Sequence, residues 1–351
     1  MLIIAFGLHR DFKLYAKIQQ FSEVHTCRKD SGRRSMDKKR ILVSNDDGIN
    51  APGLQALVAE LVKEDFCTVC VCGPSGEQSG QSHAITLGKP LACFPINVPG
   101  AQQSYAVVGS PADSVMLALN GPIFEDPAFD LVISGINRGD NCGLHVIYSG
   151  TVGAAREAAC KGLPSLAVSL DNVRGKSIEE YAAASTYTVA LVKAVLGLLE
   201  GTEPAWLKKM IGCVINVNVP AGPLHGIKGL HLTHQGAACV FPTFREVFQE
   251  VPQDAGAVTS SVISMPGTRT FRNAAGDMRW DDTLGSDTWA VHQGWASVTP
   301  LGLRSDIALH QEKERGVGAH DINGAFPELL GAMVEAAAKS LGVTAQGCSR
   351  L

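Results

Sequence analysis

Two consecutive aspartates, Asp46 and Asp47, follow an apolar run, Arg40-Ile-Leu-Val-Ser44, and precede Gly48 and a Pro52-Gly53 turn. Ile41 to Val43 is apolar throughout and β-branched at both ends, the pattern of a short strand buried on both faces. Leu54 to Val62 then carries helical spacing. Strand, loop and helix in that order open a parallel α/β sheet. The carboxylates stand at the carboxyl end of the first strand, the edge where such sheets bind ligands. Neighbouring side chains of an extended chain point to opposite sides, so the turn must bend these two together for them to share a ligand. Clustered negative charge is costly unless a cation or hydrogen-bond donors neutralise it. A hard divalent metal does so well, because it prefers oxygen ligands.

The same alternation of apolar strand and helix continues through the first half of the chain and predicts a parallel sheet with crossover helices. Strands are expected at Thr68–Cys72, Tyr105–Val108, Leu131–Gly135, Ser165–Leu170 and Val214–Val219. Helices are expected from Gly109-Ser-Pro-Ala-Asp113 to Leu119, from Ser149-Gly-Thr151 to Gly162, and from the Ser177-Ile-Glu-Glu180 capping box to about Leu199. Val214-Ile-Asn-Val-Asn-Val219 alternates strictly, so one of its faces must be polar or differently covered. After Pro220 short β-like runs appear at Gly229–Thr233, Val258–Ile263, Thr268–Phe271 and Ala296–Leu301, and they read as an antiparallel arm. An arm of this kind leaves strand edges open and pairs with another subunit, for which Trp289 and Trp295 are candidate anchors. Phe326 to Leu341 reads as a closing amphipathic helix.

Composition narrows the function classes. Across 351 residues the chain is 45% hydrophobic and 18% charged with 37 glycines, which suits a loop-rich α/β enzyme. A net charge of −4 without a basic block in the core gives no support to a nucleic-acid groove. No apolar run reaches the length of a membrane span. Among the ten cysteines, Cys67, Cys70 and Cys72 have the spacing of a zinc fragment. They also fit a β-strand, and no second Cys/His pair follows at finger spacing, so buried free thiols in a reducing compartment are expected. Residues 1 to 38 are rich in Lys and Arg and are expected to form a disordered leader or presequence, with Met36 as an alternative start. The expected location is cytoplasmic, or organellar if the leader is a transit segment.

Two further loops carry chemistry at the same sheet edge. Ser134-Gly-Ile-Asn-Arg-Gly-Asp-Asn-Cys-Gly143 follows a strand, and Asn137 in it offers a neutral carbonyl oxygen. Ser149-Gly-Thr151 places backbone N–H groups and two hydroxyls at a helix amino terminus, an anion site that suits phosphate. Gly73-Pro-Ser-Gly-Glu-Gln-Ser79-Gly80 follows the second strand and adds a serine oxygen. No Gly-Lys-Ser/Thr motif occurs, and no Gly-x-Gly-x-x-Gly joins the first strand to its helix, which argues against a nucleotide-triphosphate loop and a nicotinamide dehydrogenase.

Taken together, Asn45-Asp-Asp-Gly48, Ser79-Gly80 leading to Ser82-His-Ala-Ile-Thr86, Ser134-Gly-Ile-Asn137 and Tyr148-Ser-Gly-Thr151 closely resemble the SurE family, the survival-protein-E phosphatases or 5′/3′-nucleotidases. Gly109-Ser-Pro-Ala-Asp113, Ile215-Asn-Val-Asn-Val-Pro220 and Ser297-Val-Thr-Pro-Leu301 match as well, so the resemblance spans about residues 39 to 305. It implies an α/β fold, a Rossmann-like three-layer core with a protruding β-rich carboxyl-terminal oligomerisation arm. The expected division is a phosphatase domain at 39–310 (core about 39–235, arm about 236–300) and a helix and tail at 311–351. The resemblance implies one divalent ion, Mg²⁺ or Mn²⁺, held by Asp46, Asp47, Ser79 and Asn137. Asp46, Asp47 and Asn137 are the expected catalytic residues, and Asn45, Gly80, Asn141, Ser149, Gly150 and Thr151 the expected phosphate contacts. The implied activity is hydrolysis of nucleoside monophosphates by a homodimer or homotetramer. Alternatives are a nucleotide-binding oligomer with reduced catalysis and a phosphatase for other small monoesters or short polyphosphate. Either aspartate can be the ligand and the other the base, and an aspartyl-phosphate route through Asp46 is the nearest rival mechanism. Ser75 and Gln78 stand where the family usually has an Asp and a basic residue.

Overall fold

A computed structural model describes residues 38–202, 212–247, 267, 269–303 and 325–347. The apolar run ahead of the aspartates forms β1 (Lys39–Ser44), buried from Ile41 onward. After it come α1 (Pro52–Leu61), β2 (Cys67–Pro74), β3 (Cys93–Pro95), β4 (Gln103–Val107), α2 (Pro111–Asn120) and β5 (Leu131–Arg138). A 3₁₀ turn (Gly143–Ile147) leads to α3 (Gly150–Cys160), β6 (Ser165–Asp171), α4 (Ala182–Val195) and β7 (Cys213–Pro220). The rest comprises β8 (Gly229–Leu232), β9 (Cys239–Val247), β10 (Thr270–Arg279), α5 (Asp287–His292), β11 (Ala296–Gly302), α6 (Ala325–Leu341) and β12 (Thr344–Gln346).

Among the described residues one sheet runs in the order β12-β8-β11-β7-β6-β5-β1-β2-β4-β3. The block from β7 to β4 is parallel, while β11 pairs antiparallel with β7 and β3 with β4. The chain leaves β1 toward β2 and β4, then returns to place β5 on the other side of β1. The order therefore reverses between β1 and β5, the switch point where open α/β sheets form a ligand crevice. Strand alternation sorts the core into two faces. Ile41, Val43, Val69, Val71, Ile133 and Val168 join α1, α4 and α6 on one side. Leu42, Cys70, Cys72 and Val132 join α2 and α3 on the other. Helices on both faces of the sheet complete the three layers.

The expected elements of the first half are present, with shifts at their ends. The segment after Ser177 begins as a 3₁₀ turn (Ile178–Tyr181) before α4, and α4 ends at Val195 rather than Leu199. The arm is narrower than expected. The runs at 229–233 and 296–301 are strands of the main sheet, where β11 lies between β7 and β8. Both have buried faces, which a short apolar run cannot announce on its own. Among the described residues the antiparallel pair is β9 with β10, and the expected run at 258–263 lies outside them. Trp289 and Trp295 pack edge-on against His231 within the chain, not on the hairpin. Residues 1 to 37 also lie outside the described residues. No helix among the described residues is long and apolar enough to cross a membrane. Cys67 faces one core and Cys70 and Cys72 the other, so the three thiols cannot converge on one metal.

Close backbone approach ties α1 to β5. A Cβ on Gly53 would stand 2.0 Å from the Ile136 carbonyl oxygen and 2.9 Å from Tyr181 Cε1. Gly53→Ala must push α1 away from the strand that carries Asn137. The expected loss is about 3 kcal/mol, the upper part of the overpacking range, read as a lower midpoint in urea unfolding. A midpoint equal to that of the parent would show that α1 docks with room to spare.

Candidate metal and phosphate site

Three loops leave the carboxyl edge of the sheet around the switch point. The β1 loop carries Asn45, Asp46 and Asp47, the β2 loop Ser79 and Gly80, and the end of β5 and its loop carry Asn137 and Asn141. The first turn of α3 closes the floor of the crevice. Asp46 is 3% exposed and lies directly over that turn. A Cβ on Gly150 would meet Asp46 Cβ at 2.9 Å and Oδ2 at 3.0 Å, so only glycine admits the carboxylate there. Thr151 Oγ1 donates to Asp46 Oδ1 at 2.5 Å, and the Thr151 amide adds a further bond. Asp46 thus sits where an anion at a helix amino terminus is stabilised.

Asp47 turns to the β5 side, where its Oδ2 accepts the Arg138 N–H at 2.9 Å. Each carboxylate therefore has one oxygen fixed by a donor. The Asp46 carbonyl accepts the Gln78 N–H at 2.7 Å, which brings the Ser79 loop to the same edge. Ser79 is exposed and its hydroxyl donates to Glu77 at 3.1 Å. Asn137 is 8% exposed and its Nδ2 donates to the Gly139 carbonyl at 2.8 Å, leaving the oxygen end of the amide for other work. The β5 register shifts between Ser134 and Asn137, a bulge that re-aims the Asn137 side chain.

Burial pushes the Asp46 carboxyl up to about 6; the Thr151 donors oppose the shift and neighbouring Asp47 adds to it. Burial also raises Asp47, against the Arg138 amide and guanidinium and with Glu77. A buried and a half-buried carboxyl of raised pKa side by side form a site that a cation would relieve. The surrounding donors are carboxylate, hydroxyl and amide oxygens, hard ligands that fit Mg²⁺ or Mn²⁺. Asn45 supports the same reading: its Nδ2 donates to the Gly48 carbonyl at 2.8 Å, and its buried Oδ1 has no partner. Among the described residues no group of three or more His, Cys, Asp or Glu is placed to hold a metal, so the neutral oxygens are essential to any such site.

The expected phosphate contacts divide in use. Ser149 Oγ accepts the Val152 N–H at 3.0 Å as the helix cap, and Thr151 is engaged with Asp46. Their hydroxyls thus build the site, and Gly150, itself buried against Asp46 and Pro111, contributes backbone alone. Gly80 lies in the exposed β2 loop with φ +76°, where a side chain is disfavoured. Asn141 is 6% exposed and built into the sheet edge.

Several site residues have no conspicuous motif of their own. Arg138 holds Asp47 through its amide and Glu77 through its guanidinium at 3.2 Å. Asp113 accepts from Thr86 N and Oγ1, each at 2.7 Å, while capping α2, and so pins the loop that continues from Ser79. Ser82, at φ +54°, donates to the Tyr148 and Ile147 carbonyls, and a Cβ on Gly153 would stand 2.1 Å from the Ser82 oxygen. His83 meets buried Glu157 at 3.1 Å. Wholly buried Asp287 accepts the Gly143 N–H at 3.0 Å and the Gly236 N–H at 2.9 Å, joining the β5 loop to the root of the hairpin. The sequence signal for Asp113 was the Gly-Ser-Pro-Ala-Asp stretch; Asp287 carried none.

The chain is similar to known proteins over most of its length. The model of the survival protein SurE family matches residues 41–241. A protein of Syntrophus aciditrophicus named 5′-nucleotidase SurE is 41% identical over 264 residues, covering 75% of this chain and 87% of that protein. One of Erwinia tasmaniensis named 5′/3′-nucleotidase SurE is 38% identical over 275 residues, covering 78% of this chain and 94% of that protein. The crystal structure of the SurE protein from Aquifex aeolicus superposes with a TM-score of 0.57 at 31% identity, covering 77% of this chain and 96% of that one.

The raised Asp46 pKa has a direct consequence for stability. The folded value of about 6 exceeds the ordinary 3.8, so the folded state holds its proton more tightly than the unfolded chain. That contribution is complete below the unfolded pKa and is lost as pH rises through about 6. Asp46→Asn keeps an oxygen for Thr151 and removes the buried charge. In chelator at pH 8 the variant should exceed the parent by up to about 3 kcal/mol, and the two should converge only below the unfolded pKa of 3.8. Mn²⁺ should raise the thermal midpoint of the parent much more than that of the variant. A variant less stable than the parent at pH 8 would contradict the account of Asp46.

Proposed function

The chain belongs to the survival protein SurE family, and on that premise we propose that it is a metal-dependent phosphomonoesterase that cleaves nucleoside monophosphates to nucleoside and phosphate. The observation that carries the reading is the buried Asp46 carboxylate on the first turn of α3, with Asp47 beside it and the Ser79 and Asn137 loops at the same edge. The names of the relatives point to the same reaction. Phosphate-monoester hydrolysis is among the slowest uncatalysed reactions, so charge stabilisation must supply most of the acceleration.

Asp46, Asp47, Asn137 and Ser79 would hold the cation, Mg²⁺ or Mn²⁺. When bound, that ion supplies Lewis-acid charge to the phosphoryl group. One carboxylate of the aspartate pair takes the proton of the attacking water. The Gly150 amide, the positive end of α3, Gly80 and the remaining Nδ2 hydrogen of Asn141 receive phosphoryl oxygens, with Ser149 and Thr151 shaping the turn that presents them; Asn45, whose free end is an oxygen, holds the β1 turn through Gly48. The free buried thiols suit a reducing compartment such as the cytoplasm. The working form is a homodimer or homotetramer built through the β9–β10 hairpin, whose Phe241, Phe244 and Phe271 are exposed in the single chain.

Phosphate release from a panel of 5′- and 3′-nucleoside monophosphates, with Mg²⁺ or Mn²⁺, tests the activity. Asp46→Asn should lower kcat/KM by ~10²-fold or more, whereas full activity at saturating metal would remove Asp46 from the ligand set. Asn137→Ala and Ser79→Ala each delete a neutral oxygen that water can replace, so both should weaken metal binding mildly and recover in excess Mn²⁺. Unchanged Mn²⁺ affinity by calorimetric titration in both variants would refute the two loops as ligands.

The hairpin makes a separate prediction. Replacing residues 241–277 by a short Gly-Ser link should convert the oligomer to monomers in light scattering. A full-length protein that is monomeric at micromolar concentration would overturn the role of the hairpin and leave the phosphatase reading standing.

A further inference from the structure

The two faces of β7 are built for different purposes. Ile215, Val217 and Val219 lie in the main core. Asn216 and Asn218 project to the opposite face and are wholly buried. Amides are a costly choice at such positions, since each buried polar end left without a partner costs about 1–3 kcal/mol. Each of these amides has one such end, Asn216 Oδ1 and Asn218 Nδ2. The other two ends converge on a single residue. Asn218 Oδ1 accepts the Asn141 N–H at 2.7 Å, and Asn216 Nδ2 donates to the Asn141 carbonyl at 2.9 Å. Ser169 of β6, the register neighbour of Asn218, accepts the Asn141 side-chain amide at 2.8 Å.

Both main-chain groups of Asn141 are thus held by side chains, in the way a neighbouring strand would hold them. Their donor and acceptor order is not interchangeable. An oxygen is needed at 218 and a nitrogen at 216. Asn141 belongs to the loop that begins at Asn137, and the same loop is tied to β6 by the Gly139 N–H on the Leu170 carbonyl at 2.9 Å.

We infer that Asn216 and Asn218 are positioning residues of the catalytic centre, which fix the Asn141 main chain in register with Asn137 and the first turn of α3. The inference rests on the reading of Asn141 as a phosphate contact. Displacement of such a contact by about 1 Å can cost as much as 10²-fold in rate. This demand for placement explains why the strand keeps two half-satisfied amides where valine would pack.

One substitution made at both positions separates positioning from packing. Asn218→Asp keeps an oxygen for the Asn141 N–H, while Asn216→Asp turns an oxygen on the Asn141 carbonyl. Both bury one carboxyl on one strand face, and the urea midpoint of each, measured beside the exchange, separates a general cost to folding from a local one. Hydrogen exchange of amides 139–145, measured in the Mn²⁺-loaded full chain, should accelerate on the order of 10-fold in Asn216→Asp and stay near the parent rate in Asn218→Asp. In parallel, kcat/KM for nucleoside monophosphate should fall on the order of 10-fold or more in Asn216→Asp, with Mn²⁺ affinity unchanged and Asn218→Asp near the parent. Asn216→Val gives the same comparison without a buried charge and should behave as Asn216→Asp. Parental exchange of amides 139–145, or parental kcat/KM, in folded Asn216→Val would overturn the inference. If the parent hydrolyses no nucleotide with any metal, the exchange pattern still decides the positioning, and the functional reading alone falls.

Discussion

A buried carboxylate resting on the first turn of a helix is the constraint that the rest of this structure serves. Asp46 gives up most of its hydration, and what it receives is the Thr151 hydroxyl and the positive end of α3. These do not compensate fully, which is why its pKa stays up at about 6 and why Asp47 adjacent to it makes the site still more demanding of positive charge. The backbone around it is shaped to allow the contact. Gly150 leaves space for the carboxylate, and Gly153, one turn later, leaves space for the Ser82 carbonyl. One helix therefore organises both the β1 loop and the β2 loop, through residues whose contribution is the absence of a side chain.

The sheet does the remaining work of convergence. Because β5 returns to the side of β1 away from β2, the loops after β1, β2 and β5 emerge together at one edge. A chain that continued outward from β4 would have carried Asn137 several strands away. Asp47 and Arg138 show the outcome in a single bond across that junction. The β5 loop is then steadied from the second half of the chain, by Asn216 and Asn218 on β7 and by Asp287 at the start of α5. Asp287 also holds the root of the hairpin, so the element proposed to join subunits and the loop proposed to meet phosphate share one buried carboxylate.

Local pattern made much of this legible. β1, β2, β5 and β6 are apolar on both faces because helices cover both sides of the sheet, and such runs stand out in sequence. Pro52 and Gly53, expected as a turn, open α1 itself, and Pro52 there, the Ser-Pro-Ala-Asp start of α2 and the Ser-Gly-Thr start of α3 mark helix entries by chemistry that depends only on near neighbours. The alternation in Val214–Val219 announced a strand with unlike faces, and the structure supplies the reason: one face is core and the other grips Asn141.

What local pattern could not carry is pairing between distant segments. The runs at 229–232 and 296–302 look like arm strands because a short apolar stretch does not say which sheet will take it; only the register of β11 between β7 and β8 decides. The two tryptophans could be seen as large apolar groups, but not as partners of His231. Thr151 reads in sequence as a phosphate ligand and is in the structure the support of Asp46, since a hydroxyl at a helix start serves whichever anion the fold brings closest. By itself the sequence determined the strand-and-helix order, the oxygen-rich loops and the family, because each rests on residues close in the chain. The tertiary structure alone decided which loop meets which, how deeply Asp46 is buried and which side chains steady the site, because those depend on contacts between residues as far apart as Gly143 and Asp287.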